Sequence, residues 1–110
     1  MKKELRTVLV TAPDADVAKS IARAVVSERL VACVNIVAGV TSIYRWQGKL
    51  EEQSEVLLIM KTVHDRVSTL AARVKELHPY DVPEVLALPV DAALPAYADW
   101  IIEATGPVVV

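Results

Sequence analysis

The sequence predicts an α+β domain in which helices cover one face of an antiparallel sheet built around an oversized hairpin. Three observations carry that prediction. Residues 33–62 are rich in Val, Ile, Tyr and Trp on both sides of Gln47-Gly48-Lys49, which fits two long strands folded about a tight turn. Amphipathic stretches at helical spacing stand before and after that ribbon. Short apolar runs near each end of the chain supply the remaining strands. Strands usually run five or six residues, so the ribbon is long for so small a domain and something must cover it.

Residues 5–11 read as the first strand. Val8-Leu9-Val10 is apolar on successive positions, which predicts cover on both faces. Asp14 after Ala12-Pro13 is a suitable N-cap, and Asp16 favours the positive end of the helix that follows. That helix is expected to run to about Leu30, with Val17, Ile21, Ala24, Val25 and Leu30 inward and Ala18 and Ala22 allowing close approach to a sheet. In the first arm of the ribbon Val34, Ile36 and Ala38 share one parity and Ile43 the other, so Gly39 between them predicts a bulge. Gly48 supplies the positive φ of the turn. In the second arm, residues 50–55 form a polar tip, and the base Val56-Leu57-Leu58-Ile59-Met60 is apolar on both parities.

Thr62-Val63-His64-Asp65 resembles a capping box. The second helix carries Val67, Leu70, Ala71, Val74 and Leu77 and ends by His78, because Pro79 pushes its predecessor out of the α region. A turn at residues 80–83 leads to a fourth strand over residues 84–90, with Pro89 suited to an edge. Pro95 opens a third helix whose Tyr97, Trp100, Ile101 and Ala104 are expected to face inward, and Gly106-Pro107 stops it. The apolar tail Val108-Val109-Val110 could add a short strand. The order β-α-β-β-α-β plus a helix is the ferredoxin-like arrangement, a single domain over residues 1–110. Two helices leave one sheet face bare, and the doubly apolar strands predict that another subunit meets it.

Composition narrows the function. The chain is 54% hydrophobic but 5% aromatic with no Phe, so the core is aliphatic. The net charge of −2 is spread without a basic run, which argues against nucleic acid and against an anionic membrane surface. No segment has the apolar length of a membrane span or the pattern of a signal peptide. One cysteine excludes an internal disulfide, and three glycines exclude a Gly-rich nucleotide loop. A soluble intracellular protein without an evident catalytic pair is the expectation.

The candidate chemical groups are few. Cys33 in an apolar run is either a small buried hydrophobe or a soft ligand for copper or zinc. His78 is either a helix C-terminal residue bonded to the last carbonyls or a metal ligand through a neutral ring nitrogen. Tyr44, Arg45 and Trp46 read as packing and subunit contacts. Glu51, Glu52 and Glu55 read as a solvated edge that blocks unwanted pairing, or as hard oxygen ligands holding a divalent cation loosely. Lys61 and Glu84 flank the apolar strand cores and could form a polar pair between subunits.

Four passages taken together resemble the CutA family of divalent-cation tolerance proteins: Thr11-Ala12-Pro13-Asp14, residues 30–36, residues 42–49, and His78-Pro79-Tyr80-Asp81-Val82-Pro83-Glu84. The resemblance runs from about Val8 to Thr105. It implies a cytoplasmic homotrimer of ferredoxin-like subunits, similar in assembly to the PII signalling trimers, with a non-enzymatic role linked to copper and other divalent cations. Some family members carry a Cys and a second His where this chain has Val10 and Leu77, so His78 alone remains of that ligand set, with Cys33 as a further candidate. The resemblance also implies a cleft between subunits lined by Cys33, Tyr44, Trp46, Lys61, Tyr80 and Glu84. The alternative function is a PII-like sensor or adaptor that takes a small anion or a partner loop in that cleft.

Overall fold

The computed structural model describes residues 3–108. Its elements are β1 (Leu5–Ala12), α1 (Ala15–Ser27), β2 (Cys33–Trp46), β3 (Lys49–Val63), a 3-10 turn (His64–Arg66), α2 (Val67–Leu77), β4 (Leu86–Pro89) and α3 (Pro95–Ala104). The sheet order is β2-β3-β1-β4, with every neighbouring pair antiparallel. This is the expected ferredoxin-like α+β arrangement with an added C-terminal helix.

Strand alternation sorts the sheet into two faces. Val8, Val10 and Ala12 of β1 align with Met60, Leu58 and Val56 of β3, and this set packs on Ile21 and Val25 of α1 and on Leu70 and Val74 of α2. The opposite face is covered only at its lower end. There Leu5 and Val63, cross-strand partners, join Ala32 and Ile101 of α3 in a second small core. Two arginines hold α3 in place by its C-terminal carbonyls. Arg29 donates to Glu103 and Gly106 oxygens at 2.7 and 2.6 Å, and Arg66 donates to Thr105 oxygen at 2.9 Å. Cations at a helix C-terminus satisfy its free acceptors and suit its dipole.

The hairpin outruns the sheet. Ala12 of β1 pairs with Val56, and residues 49–55 of β3 pair with β2 alone. The molecule is correspondingly elongated, 48 × 29 × 23 Å, with a radius of gyration of 14.7 Å against about 13 Å for a compact chain of this length. At its end Gln47 and Gly48 have φ of 50° and 78°, the pair of left-handed residues of a type I′ turn. The bulge falls where Gly39 predicts it: the register shifts between Val37 and Val40, and Gly39 has a φ of 80°.

Several local expectations need correction. The first helix ends at Ser27, short of Leu30, because the chain closes in a Schellman motif with Arg29 in the left-handed position (φ 61°). Arg29 and Leu30 N–H groups donate to Val26 and Val25 oxygens, both at 3.0 Å. The capping box at Thr62 does not form. The buried Thr62 hydroxyl donates to Leu30 oxygen at 2.7 Å, Asp65 pairs with Lys3 at 3.1 Å, and the 3-10 turn delays α2 to Val67. The fourth strand is shorter than residues 84–90, though Pro89 does lie on the edge strand. Of the third helix only Ile101 is buried. Tyr97 and Trp100 stay 41% and 44% exposed, because α3 overlaps only the end of the sheet. Leu57 and Ile59 are half-buried, so within one chain the base of β3 is fully covered on the helix side alone. Of the apolar tail, Val109 and Val110 lie outside the described residues, and Val108 belongs to no strand.

Candidate functional site

The residues expected around one cleft fall into two groups at opposite ends of the uncovered face. Tyr44, Trp46, Tyr80 and Glu84 gather around a cavity of about 680 Å³ between the projecting hairpin and the segment that follows α2. Cys33 and Lys61 lie at the root of the hairpin, where they are cross-strand partners. Lys61 and Glu55, the nearest cavity residue on the same strand, are six positions apart, roughly 20 Å at strand rise. A Lys61–Glu84 pair is accordingly not formed within one chain; Lys61 donates to Asn35 Oδ1 instead.

The larger cavity is acidic. Glu51 and Glu55 line it from β3, and Glu84 lines it from the segment leading into β4. Glu55 is 7% exposed, and its carboxylate accepts a hydrogen bond from the Tyr80 hydroxyl at 3.0 Å. The expectation of a solvated edge therefore holds for the exposed Glu52 and fails for Glu55. The sequence signal for Glu55 was its place directly before the apolar base of β3, on the parity of the uncovered face. Burial pushes the Tyr80 phenol up to about 12, helped by its bond to Glu55 and that carboxylate's charge. Burial, followed by the charge of Glu55, also raises the Glu84 carboxyl.

His78 joins this region to the sheet. It is 7% exposed and directly follows α2. Its Nδ1 accepts from Tyr80 N–H at 3.1 Å, so Nε2 carries the proton and donates to Thr11 oxygen at 2.7 Å. Both ring nitrogens are thus engaged by the protein, and the ring stacks obliquely on Tyr80 with centroids 4.6 Å apart. A metal could reach His78 only by displacing one of those bonds. Cys33 is half-buried, and its Sγ lies 3.8 Å from the Tyr97 hydroxyl. Its hydrogen bond with Cys33, followed by burial, raises the Tyr97 phenol. Among the described residues no group of three or more His, Cys, Asp or Glu side chains is placed to hold a metal ion.

Comparison with known proteins places this geometry. Residues 6–104 match the family model described as CutA1 divalent ion tolerance protein. The chain belongs to the CutA1 family. It is 54% identical over 99 residues to the divalent-cation tolerance protein CutA of Thermus thermophilus, covering 90% of this chain and 96% of that one. Mouse protein CutA is 52% identical over 96 residues, covering 87% of this chain but 54% of the mouse protein, so the chain spans about half of that relative. Solved CutA1 structures share the fold. The solved Thermus thermophilus protein superposes with a TM-score of 0.91 at 53% identity, covering 93% of this chain and 99% of that one. CutA1 of Oryza sativa gives 0.92 at 41% identity, covering 96% of each chain. CutA1-family proteins are not confined to one compartment by name: an Arabidopsis thaliana relative is called chloroplastic and an Archaeoglobus fulgidus structure periplasmic. Among the described residues of this CutA1-family chain no helix is long and apolar enough to cross a membrane.

Proposed function

We propose that the chain acts as a cytoplasmic homotrimer, taking part in tolerance of divalent cations by weak ion binding and not by catalysis. The observation that supports the assembly is the uncovered sheet face. Val37, Leu86 and Leu88 are 43%, 57% and 44% exposed there, beside the half-buried Leu9, Leu57 and Ile59. An apolar patch of this kind calls for a partner, and a two-stranded ribbon is marginal without one. A closed ring of identical subunits offers each copy the same cover. The family's name supports the link to divalent ions.

Cys33 is the group suited to copper(I), and its place on the uncovered face puts one thiol per subunit near the shared surface. His78 contributes only after releasing Thr11 or Tyr80, which keeps copper binding weak. Glu51 and Glu55 offer hard oxygen to other divalent cations. Light scattering at micromolar concentration should find a particle of three chains. Copper titration should weaken most in Cys33→Ala and less in His78→Ala. Equal binding in both variants and wild type would remove these residues from the metal reading, and a monomer would remove the assembly.

A second reading is a PII-like sensor or adaptor. The gathering of Tyr44, Trp46, Tyr80 and Glu84 around one cavity favours it. A small metabolite that raises the melting temperature in metal-free buffer, and fails to do so in Trp46→Ala, would establish it over the first.

A further inference from the structure

Beneath α3 lies a second cavity of about 440 Å³, separate from the acidic one and of opposite character. Its walls are apolar, formed by Leu5 and Val90 at the sheet, Ile101 and Tyr97 of α3, and Leu94 before it. Lys61 and Arg6 are its charged lining residues, and among the described residues no carboxylate lines it. Arg6 is already engaged by Glu4 and by Leu5 oxygen, at 3.0 and 2.8 Å. Lys61 is different. Its ammonium donates to the neutral Asn35 amide and makes no ion pair among the described residues. The entrance of α3, which adds to this wall, has no side-chain cap, so the free N–H groups of its first turn add partial positive charge. Thr7 and Tyr97 also line the cavity.

An apolar chamber with positive charge at one side and no acid selects for an amphipathic anion. We propose that this cavity binds a small organic carboxylate, its hydrocarbon part held between α3 and the sheet and its carboxylate held by Lys61. Its volume lies within the usual range for small-molecule sites, roughly 300–1,000 Å³, and leaves room for a chain of several carbons. The carboxylate accepts from the Lys61 ammonium in place of the neutral Asn35 amide, which replaces a neutral acceptor with one of opposite charge. The site lies apart from the acidic cavity but borders Cys33, whose Sγ is 3.8 Å from the Tyr97 hydroxyl, so the test is made on metal-free protein.

Calorimetric titration of the assembled, metal-free protein with hexanoate, with hexylamine and with hexanol tests this. Hexanoate should bind, hexanol more weakly, and hexylamine not measurably. Lys61→Met should weaken hexanoate roughly tenfold or more, the loss of a charged hydrogen bond, while leaving hexanol binding in place. Lys61→Arg should restore most of the hexanoate affinity, which a purely structural role for Lys61 would not explain. Equal binding of hexanoate and hexylamine, or unchanged hexanoate binding in Lys61→Met, would overturn the proposal. Absence of hexanoate binding at millimolar concentration would overturn it too.

Discussion

The two halves of the β2–β3 hairpin share a strand-forming composition and lead opposite lives. At the root, residues 33–37 pair with residues 57–61, β1 flanks β3, and α1 and α2 pack over Leu58 and Met60, which have no exposed surface. Beyond the bulge, residues 40–46 pair only with residues 49–55, and Ile43, Trp46 and Leu50 are 62%, 48% and 76% exposed. Backbone pairing is continuous through both, apart from one register shift. Hydrogen bonding therefore builds the ribbon, and burial decides which part of it is stable within one chain. The root is held by the rest of its own chain, whereas the distal half finds little cover within it.

The largest expected effect tests that division directly. Leu58→Ala should cost about 3–5 kcal/mol, since a fully buried side chain leaves a cavity between sheet and helices. Leu50→Ala should change the stability of an isolated chain by less than about 0.5 kcal/mol. Chemical denaturation of both variants measures the contrast. If Leu50→Ala proves as damaging as Leu58→Ala, the tip is buried in the assembled protein, and the difference between the halves belongs to the single subunit only.

Gly39→Ala should be intermediate, costing about 1–2 kcal/mol through the left-handed backbone alone. A Cβ there meets nothing within 4 Å, so steric crowding adds nothing. A loss in thermal scans much smaller than that would show that the register shift relaxes, and that the two halves are not firmly hinged at this residue.

The smallest effect is that of Glu84, which faces the distal half across the acidic cavity. Its carboxyl is raised by burial and by Glu55. The folded state thus holds this proton more tightly than the unfolded state does. The resulting contribution is fully present below the ordinary glutamate value of about 4.5 and is lost as pH rises through the raised value. Glu84→Gln should accordingly raise the melting temperature slightly at pH 7, with the gain shrinking to nothing in acid. A gain of equal size at both ends of the pH range would point to packing, not to charge.

Much of this architecture was legible in the residues. Asp14 caps α1 as its side chain suggests, accepting from Val17 N–H at 2.8 Å. The parity break around Gly39 marks the bulge, Pro79 marks the end of α2, and Pro89 marks an edge. These signals are local, and local chemistry decides them. What could not be read depends on groups distant in sequence. Thr62 left its apparent capping role because the Leu30 carbonyl, 32 residues away, needed a donor. Glu55 looked like tip polarity until Tyr80 supplied a hydroxyl. The ring of His78 is occupied because Thr11, on another strand, offers it an oxygen. The cleft that the resemblance implies lies between subunits, and within one chain its residues do not meet, for the same reason. Its residues are spread over two ends of a strand, and spacing along the chain does not report which end a loop will visit.

The fastening of α3 has an evolutionary consequence. Arg29 and Arg66 grip main-chain carbonyls of residues 103, 105 and 106 and no side chain of the helix. Every amino acid carries such a carbonyl. Substitutions along the inner surface of α3 can therefore change what the chamber below admits while the attachment stays the same. The helix is a replaceable panel on a permanent latch, which lets a lineage revise one small pocket without renegotiating the fold.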